Sequence, residues 1–353
     1  MDPNSDSFSL IDHYSVRFDN NDAFDECVKP EFPFTPSAFF FRIVGSCNGL
    51  LCLFDETLGG KLHYLLLWNP LIGKSVTVPR PEVSFTRGHS REFRTFGFGF
   101  DEWRNDYKVV AITSPDMIQE FQPRAKIYSL NSGIWRAISP KGLRYSTSTS
   151  FGMPQAYLNG VAHWVGKDPR KQWSDAECFC IVAFSMMDEV FGEISLPEKG
   201  TVRVNNLLDL KCLSIFQDSL AFIEVDSHYR VWVMKKYGME ESWALLFIVN
   251  TSSALHELVG FRMNGEFVMG SSSRSLVSYD PESKQVKDLG IPDSEIQKGN
   301  FFGAIHLEKY VESLVLLERG ANAPEQMVGT SDGSLTQNGL NDAKGTDKLR
   351  EEE

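Results

Sequence analysis

Leu258-Val259-Gly260-Phe261-Arg262-Met263, Asn264-Gly265, Glu266-Phe267-Val268-Met269, then Leu276-Val277-Ser278-Tyr279, Asp280-Pro281-Glu282-Ser283 and Gln285-Val286-Lys287-Asp288-Leu289: this stretch decides the fold. Each apolar run is too short for a helix and alternates with period two, so each reads as a strand. Asn264-Gly265 reads as a two-residue type I′ turn, because both central residues of such a turn need positive φ. Ser271–Arg274 is a polar loop, and Asp280-Pro281 turns the chain again because proline fixes φ near −65°. Four antiparallel strands within about 35 residues form one small sheet, which cannot stand alone in water.

The same unit recurs upstream. Turn-then-apolar starts stand at Cys47-Asn48-Gly49-Leu50-Leu51-Cys52-Leu53, Leu158-Asn159-Gly160-Val161-Ala162-His163-Trp164 and Phe216-Gln217-Asp218-Ser219-Leu220-Ala221-Phe222. Second halves of the unit centre on Trp68, Ser129, Phe184, Val233 and Ser278, at separations of 61, 55, 49 and 45 residues. A repeat of one four-stranded sheet near ~50 residues is the pattern of a β-propeller of the kelch kind. The expectation is an all-β chain with a single propeller of six four-stranded blades, the sixth closed by residues 11–53 and 300–318 from the two chain ends. Long apolar runs of period 3.6 are missing, which disfavours a helical solenoid.

Around this zone (residues 37–318) lie an acidic, proline-punctuated lead (residues 1–36) and a tail (residues 319–353) of Gly, Asn, Asp, Ser and Thr ending Glu351-Glu352-Glu353. The tail has too little apolar surface to offset its ordering entropy and reads as disordered. The 353 residues are 42% hydrophobic and carry a net charge of −12, which argues against a phosphate backbone or an anionic membrane as the main partner. No apolar stretch reaches the ~18–20 residues that a bilayer requires. Met1–Leu10 has neither the basic nor the apolar part of a secretory signal, and six cysteines are ordinary usage. Cytosol or nucleus is the expected compartment.

Several motifs together resemble a known family. Ser46-Cys47-Asn48-Gly49-Leu50-Leu51-Cys52, Leu67-Trp68-Asn69-Pro70, Gly97-Phe98-Gly99-Phe100-Asp101 to Asp106-Tyr107-Lys108-Val109-Val110, Val161-Ala162-His163-Trp164, Ile194-Ser195-Leu196-Pro197, Val231-Trp232-Val233-Met234 with Trp243, and Tyr310-Val311-Glu312-Ser313-Leu314-Val315 are similar in order and spacing to the plant F-box-associated domain. The resemblance runs over roughly residues 10–318. It implies a non-catalytic module that holds the protein to be ubiquitinated by a Skp–cullin–F-box ligase. In that family an F-box precedes the domain and docks on the Skp adaptor. Met1–Val44 holds no Leu-Pro-started run of three amphipathic helices, so Skp binding is expected only if an F-box is present in the full gene product. A truncated gene reading, an alternative start and an F-box-less paralogue all remain open, the first preferred.

No set of residues argues for catalysis, a cofactor or a metal. Gly97-Phe98-Gly99-Phe100 lacks the strand–turn–helix setting of a phosphate loop, and its glycines read as room for close sheet packing or bulges under large Phe rings. His256-Glu257 lacks a second histidine at position 260, and Cys178/Cys180 read as small buried apolar groups. His163 and Trp164, adjacent on a strand, point to opposite sides and read as satisfied core or inter-blade side chains. The tryptophans are expected in strands, Trp173 excepted. Two loops stand out as candidate partner-binding segments. One carries Arg80, Phe85, Arg87, His89, Arg91, Phe93 and Arg94; the other carries Arg170 and Trp173. Arginine and aromatic residues are enriched at interface hot spots, and the cationic character suits an acidic substrate protein if both loops share one face. Two rival readings are a glycan- or small-ligand-binding propeller, with aromatic platforms and Asp/Asn pairs around the channel, and a propeller enzyme.

Overall fold

A computed structural model describes residues 15–19, 24–28, 30–31, 41–56, 62–82, 92–115, 123–147, 155–171, 178–197, 210–225, 228–250, 255–271, 275–291 and 307–315. These residues form an all-β propeller of five blades. Blade 1 is β3 (Phe41–Cys47), β4 (Leu50–Glu56), β5 (Leu62–Asn69) and β6 (Lys74–Val78), and blade 2 is β7 (Glu92–Asp101), β8 (Asp106–Pro115), β9 (Arg124–Ser129) and β10 (Ile134–Ile138). Blade 3 has a divided innermost strand, β11 (Ser146–Thr147) and β12 (Ala156–Leu158), both pairing with β13 (Val161–Lys167), followed by β14 (Phe179–Ser185) and β15 (Phe191–Ile194). Blade 4 is β16 (Leu210–Phe216), β17 (Ser219–Val225), β18 (His228–Met234) and β19 (Trp243–Asn250). Blade 5 is β20 (Leu255–Phe261), β21 (Phe267–Ser271), β22 (Leu276–Tyr279) and β23 (Val286–Asp288). Neighbouring strands pair antiparallel throughout, from the inside of each blade outward.

Five blades, not six, is a correction to the sequence expectation, and the chain ends explain it. The lead forms a separate two-stranded sheet, β1 (Val16–Asp19) with β2 (Phe24–Val28), which lies on blade 5. Phe24 packs there with Val259, Val268, Leu276 and Leu289. The buried Arg262 donates from Nε to Asp19 Oδ1 at 3.0 Å, from Nη1 to Glu266 Oε2 at 2.8 Å, and covers the Phe24 ring at 5.3 Å. Residues 307–315 form no strand; they fasten onto blade 1 instead. Asn69 Nδ2 donates to the carbonyls of Ser313 (2.9 Å) and Val315 (3.1 Å), and Ser46 N–H donates to Glu308 Oε1 (3.0 Å). Leu307 meets Gly260 of β20, so this segment ties the last blade to the first. The expected tail lies outside the described residues. The strand order does not distinguish the kelch kind from other propellers.

The core lies between blades rather than within them, which explains why central strands read as unbroken apolar runs. Along β8, Val109 and Ala111 pack toward blade 1, whereas Val110 and Ile112 pack toward blade 3. Along β14, Val182 and Phe184 face blade 2, and Ile181 and Ala183 face blade 4. Val231, Val233, Phe267 and Met269 fill the space between blades 4 and 5. Period-two alternation thus serves two interfaces from one strand.

Turn chemistry sets the blade ends. Asn48 (φ 48°) with Gly49 (φ 80°), and Asn159 (φ 53°) with Gly160 (φ 76°), are the two-residue turns expected. The Asn264-Gly265 turn is larger than expected. Arg262 N–H donates to the Glu266 carbonyl at 2.8 Å and only Gly265 has positive φ (92°), so residues 263–265 form a three-residue loop ending in a left-handed glycine.

Candidate functional site

Because every blade runs up and down in the same order, its connections sort onto two faces. Turns between first and second strands and between third and fourth strands leave one face, here the turn face. Links between second and third strands and between blades leave the other, the loop face. Residues 79–91 link blades 1 and 2, and residues 168–178 join β13 to β14 within blade 3. Both candidate segments therefore spring from the loop face, which the sequence left open. Thr95 Oγ1, donating to the Thr147 carbonyl at 3.0 Å, ties the adjoining strand starts together there.

Of the candidate residues, Arg80 is exposed just past β6. Phe85, Arg87, His89, Arg91 and Trp173 lie outside the described residues, and Phe93 is described only as a backbone position of β7. Arg94, also in β7, is half-buried. Arg170 is exposed but forms a forked pair with Asp168, Nε to Oδ1 and Nη2 to Oδ2, both at 2.9 Å. That hydrogen bonding raises the Arg170 pKa and holds the Asp168 carboxyl below its ordinary value. Close by, Arg144 pairs with Glu193 in the same forked way, at 2.9 and 2.7 Å.

The centre of the ring is closely filled where it is described. The open edge of β7 is covered by a row of side chains from blade 3. Gln155 Oε1 accepts from Phe98 N–H (2.9 Å) while its Nε2 donates to the Phe98 carbonyl, and Tyr157 Oη accepts from Phe100 N–H (2.9 Å). Trp164 Nε1 donates to the Phe96 carbonyl at 3.2 Å. Gly97 and Gly99 make this possible: a Cβ on Gly97 would enter the Trp164 ring, and one on Gly99 the Tyr157 ring. Gln155 N–H also donates to Val44 O (3.2 Å), joining the inner strands of blades 1 and 3. Among the described residues no group of three His, Cys, Asp or Glu is arranged to hold a metal ion, and no helix is long and apolar enough to cross a membrane.

The turn face is built differently. Lys108, only 2% exposed, donates to Asp101 Oδ2 (2.5 Å), Glu189 Oε1 (2.8 Å) and the Met186 carbonyl (3.0 Å), clamping the first turn of blade 2 to the last turn of blade 3. Burial pushes the Asp101 carboxyl up, but the hydrogen bonds from Lys108 and Arg104 outweigh it and hold the pKa at about 2. His163, fully buried, has Nδ1 at 2.9 Å from the Ala156 carbonyl and Nε2 at 2.8 Å from Tyr237 Oη. A carbonyl only accepts, so Nδ1 carries the proton and Tyr237 donates to Nε2. Burial lowers the His163 pKa to about 4. His163 thus joins blade 3 to blade 4 while its neighbour Trp164 joins blade 3 to blade 2.

On this braced surface stand apolar side chains from every blade. Leu71 comes from blade 1, Trp103 from blade 2, Met187 and Val190 from blade 3, Tyr237 and Met239 from blade 4 and Met263 from blade 5, all exposed. Val311 and Leu314 of the closing segment join them. Trp103 is 75% exposed, with the Arg104 guanidinium 4.7 Å from its ring centre. Arg104 Nη1 also donates to the Met187 carbonyl (2.9 Å), so Trp103 and Met187 belong to one patch. Sequence reading missed this patch because it placed every tryptophan except Trp173 in a strand; Trp103 sits in the turn 102–105. The available signal was an aromatic residue, and a Met186-Met187 pair, inside stretches otherwise made of turn residues.

Residues 8–317 match the family described as "F-box associated beta propeller domain". The F-box protein At3g07870 of Arabidopsis thaliana is 29% identical over 302 residues, covering 72% of this chain and 67% of that protein. The F-box/kelch-repeat protein At3g23880 is 27% identical over 219 residues (60% and 53%), and the F-box protein CPR1 26% over 307 residues (79% and 70%), both from the same plant. The chain therefore spans between about half and about 70% of the length of these relatives. Among solved structures, the Dos1 propeller aligns over 76% of this chain and 71% of its own, at 11% identity and a TM-score of 0.38, too distant to carry a conclusion.

Proposed function

The chain belongs to the F-box-associated β-propeller family, and from that premise we propose that it is the substrate-holding part of a Skp–cullin–F-box ubiquitin-ligase receptor, acting by protein recognition and not by catalysis. The observation that carries the reading is the turn-face patch. Five blades present exposed apolar side chains on their turns, those of blades 2, 3 and 4 braced by Lys108 and His163, and exposed apolar groups gathered on a rigid frame are a mark of a protein interface. Little rearrangement of the backbone is expected on binding. Cys47, Cys52, Cys180 and Cys212 are buried free thiols, which suits work in the reducing cytosol or nucleus. Docking on the Skp adaptor would rest on an F-box supplied by the full gene product.

A second reading places the partner on the loop face. It is favoured by the common origin there of segments 79–91 and 168–178, whose Arg80, Arg87, Arg91 and Arg170 suit an acidic partner. The glycan or small-ligand reading is less favoured, because Gln155, bonded to Val44 of β3 and to Phe98 of β7, already ties inner strands together where a ligand would need room.

The test is cross-linking capture from plant extract with three folded baits: wild type, Trp103→Glu with Met187→Glu, and Arg80→Glu with Arg170→Glu. Partners lost only with the first variant support the turn face, and partners lost only with the second support the loop face. Capture indifferent to both overturns the recognition reading. Pull-down with a Skp adaptor should succeed only when an F-box is placed before Met1. Binding by the chain as it stands would reveal a docking surface within the propeller.

A further inference from the structure

The outermost strand of each blade exposes a row of backbone N–H and C=O groups that another chain can pair with. Four of the five outer strands are short and charged: β6 carries Lys74, β10 Arg136, β15 Glu193, and β23 both Lys287 and Asp288. β19 breaks that rule. Its sequence, Trp243-Ala244-Leu245-Leu246-Phe247-Ile248-Val249-Asn250, makes it the longest of the five, and it holds no charged residue and no proline. Among the described residues no strand pairs with its outer edge.

A bulge shapes this edge. Val231 pairs with Phe247 and Trp232 with Leu245, which leaves Leu246 as the extra residue. The insertion brings Leu245 and Ile248, three apart in sequence, to the same side of the strand. They are 41% and 57% exposed.

We propose that β19 is a self-association edge, pairing antiparallel with β19 of a second copy across a two-fold axis between Leu246 and Phe247. That register sets Leu245 opposite Ile248 of the partner and Ala244 opposite its Val249, so the exposed apolar pair of each strand meets that of the other. Such an isologous contact closes at two copies. The self-matching register, not charge, favours a second copy over a foreign charged peptide, since the exposed Leu245 and Ile248 of each strand meet those of the other. The strand offers nothing to select such a peptide, and it is an uncharged seam through which two chains of net charge −12 can meet without opposing like charges. Salt should therefore strengthen the pairing by screening repulsion between the two bodies, the reverse of a contact held by ion pairs.

The experiment is sedimentation equilibrium on the full chain at low and at raised salt. Wild type should show a mass twice 39.9 kDa, with the dimer tighter in salt. Leu245→Lys and Ile248→Lys, both at exposed positions, should each weaken the dimer about tenfold or more with unchanged circular dichroism and melting temperature. With both positions changed to cysteine, mild oxidation should link two chains, whereas either single cysteine should link them far less. A wild-type monomer at ~100 μM, open-ended aggregates in place of a dimer, or a dimer indifferent to both lysines would overturn the proposal.

Discussion

Lys108 on the turn face and Arg170 on the loop face are both cations held by carboxylates, yet they do different work. Lys108 is buried, bridges two blades and satisfies two acids and a carbonyl at once. Arg170 pairs within its own connection, two residues from Asp168, with a side chain 62% exposed. A buried charge whose partner is removed is left unsolvated, while an exposed one returns to water. The faces differ in the same way. On the turn face, short turns with left-handed residues are cross-braced by Lys108, His163, Arg262 and Asn69, and apolar tips project from the braced frame. On the loop face, most connections are longer, and Arg170–Asp168 closes within one of them while Arg144 reaches from a link to Glu193 of β15.

The largest expected effect follows from removing the brace. Lys108→Ala leaves Asp101 and Glu189 without their shared cation and should cost about 3–5 kcal/mol in chemical denaturation. A loss below ~1 kcal/mol would show that the clamp is not what holds blades 2 and 3 together. Next is the His163 link. Its folded pKa of about 4 lies below the ordinary value of 6.5, so between these values the unfolded chain takes up a proton that the folded chain refuses. The stability that rests on burying His163 uncharged is fully present above about pH 6.5 and is lost as pH falls through about 4, a change on the order of 3 kcal/mol. His163→Gln should lower stability at pH 7 and flatten its fall between pH 6.5 and 4. A variant as acid-sensitive as wild type would place the sensitivity elsewhere. Smaller again is Gly97→Ala, whose Cβ must displace the Trp164 ring, at about 1–3 kcal/mol. The tryptophan fluorescence of the native state should shift with it.

How much of this was legible depends on which feature carried the signal. The positions that set the repeat, Trp68, Ser129, Phe184, Val233 and Ser278, all fall in third strands, one per blade. Third strands are packed on both sides, so their apolar runs survive variation in the loops. The drifting separations reflect the unequal loop-face connections. The sixth blade was inferred from chain ends that carry apolar residues but dock on existing blades, through Phe24 and Asp19 on one and Glu308 on the other. Gly97 and Gly99 do give room for rings, but not for the expected Phe rings: the rings are Trp164 and Tyr157 of blade 3, which local pattern does not reveal. The turn-face patch was invisible because exposure in a turn depends on which ends of the blades share a face. That in turn depends on strand order, not on local composition.

The smallest expected effects separate a surface built for contact from one built for stability. Arg170→Ala should leave the unfolding free energy essentially unchanged, since an exposed pair contributes little and its loss leaves Asp168 in reach of water. Trp103→Ala should be equally mild, because the ring is largely in solvent and touches the frame mainly through Arg104. The two variants should part company only in binding. If the turn face holds the partner, Trp103→Ala weakens capture and Arg170→Ala does not, although neither disturbs the fold. A Trp103→Ala variant that melted several degrees early while still capturing every wild-type partner would make the indole a structural plug. The face it marks would then lose its claim as the interface.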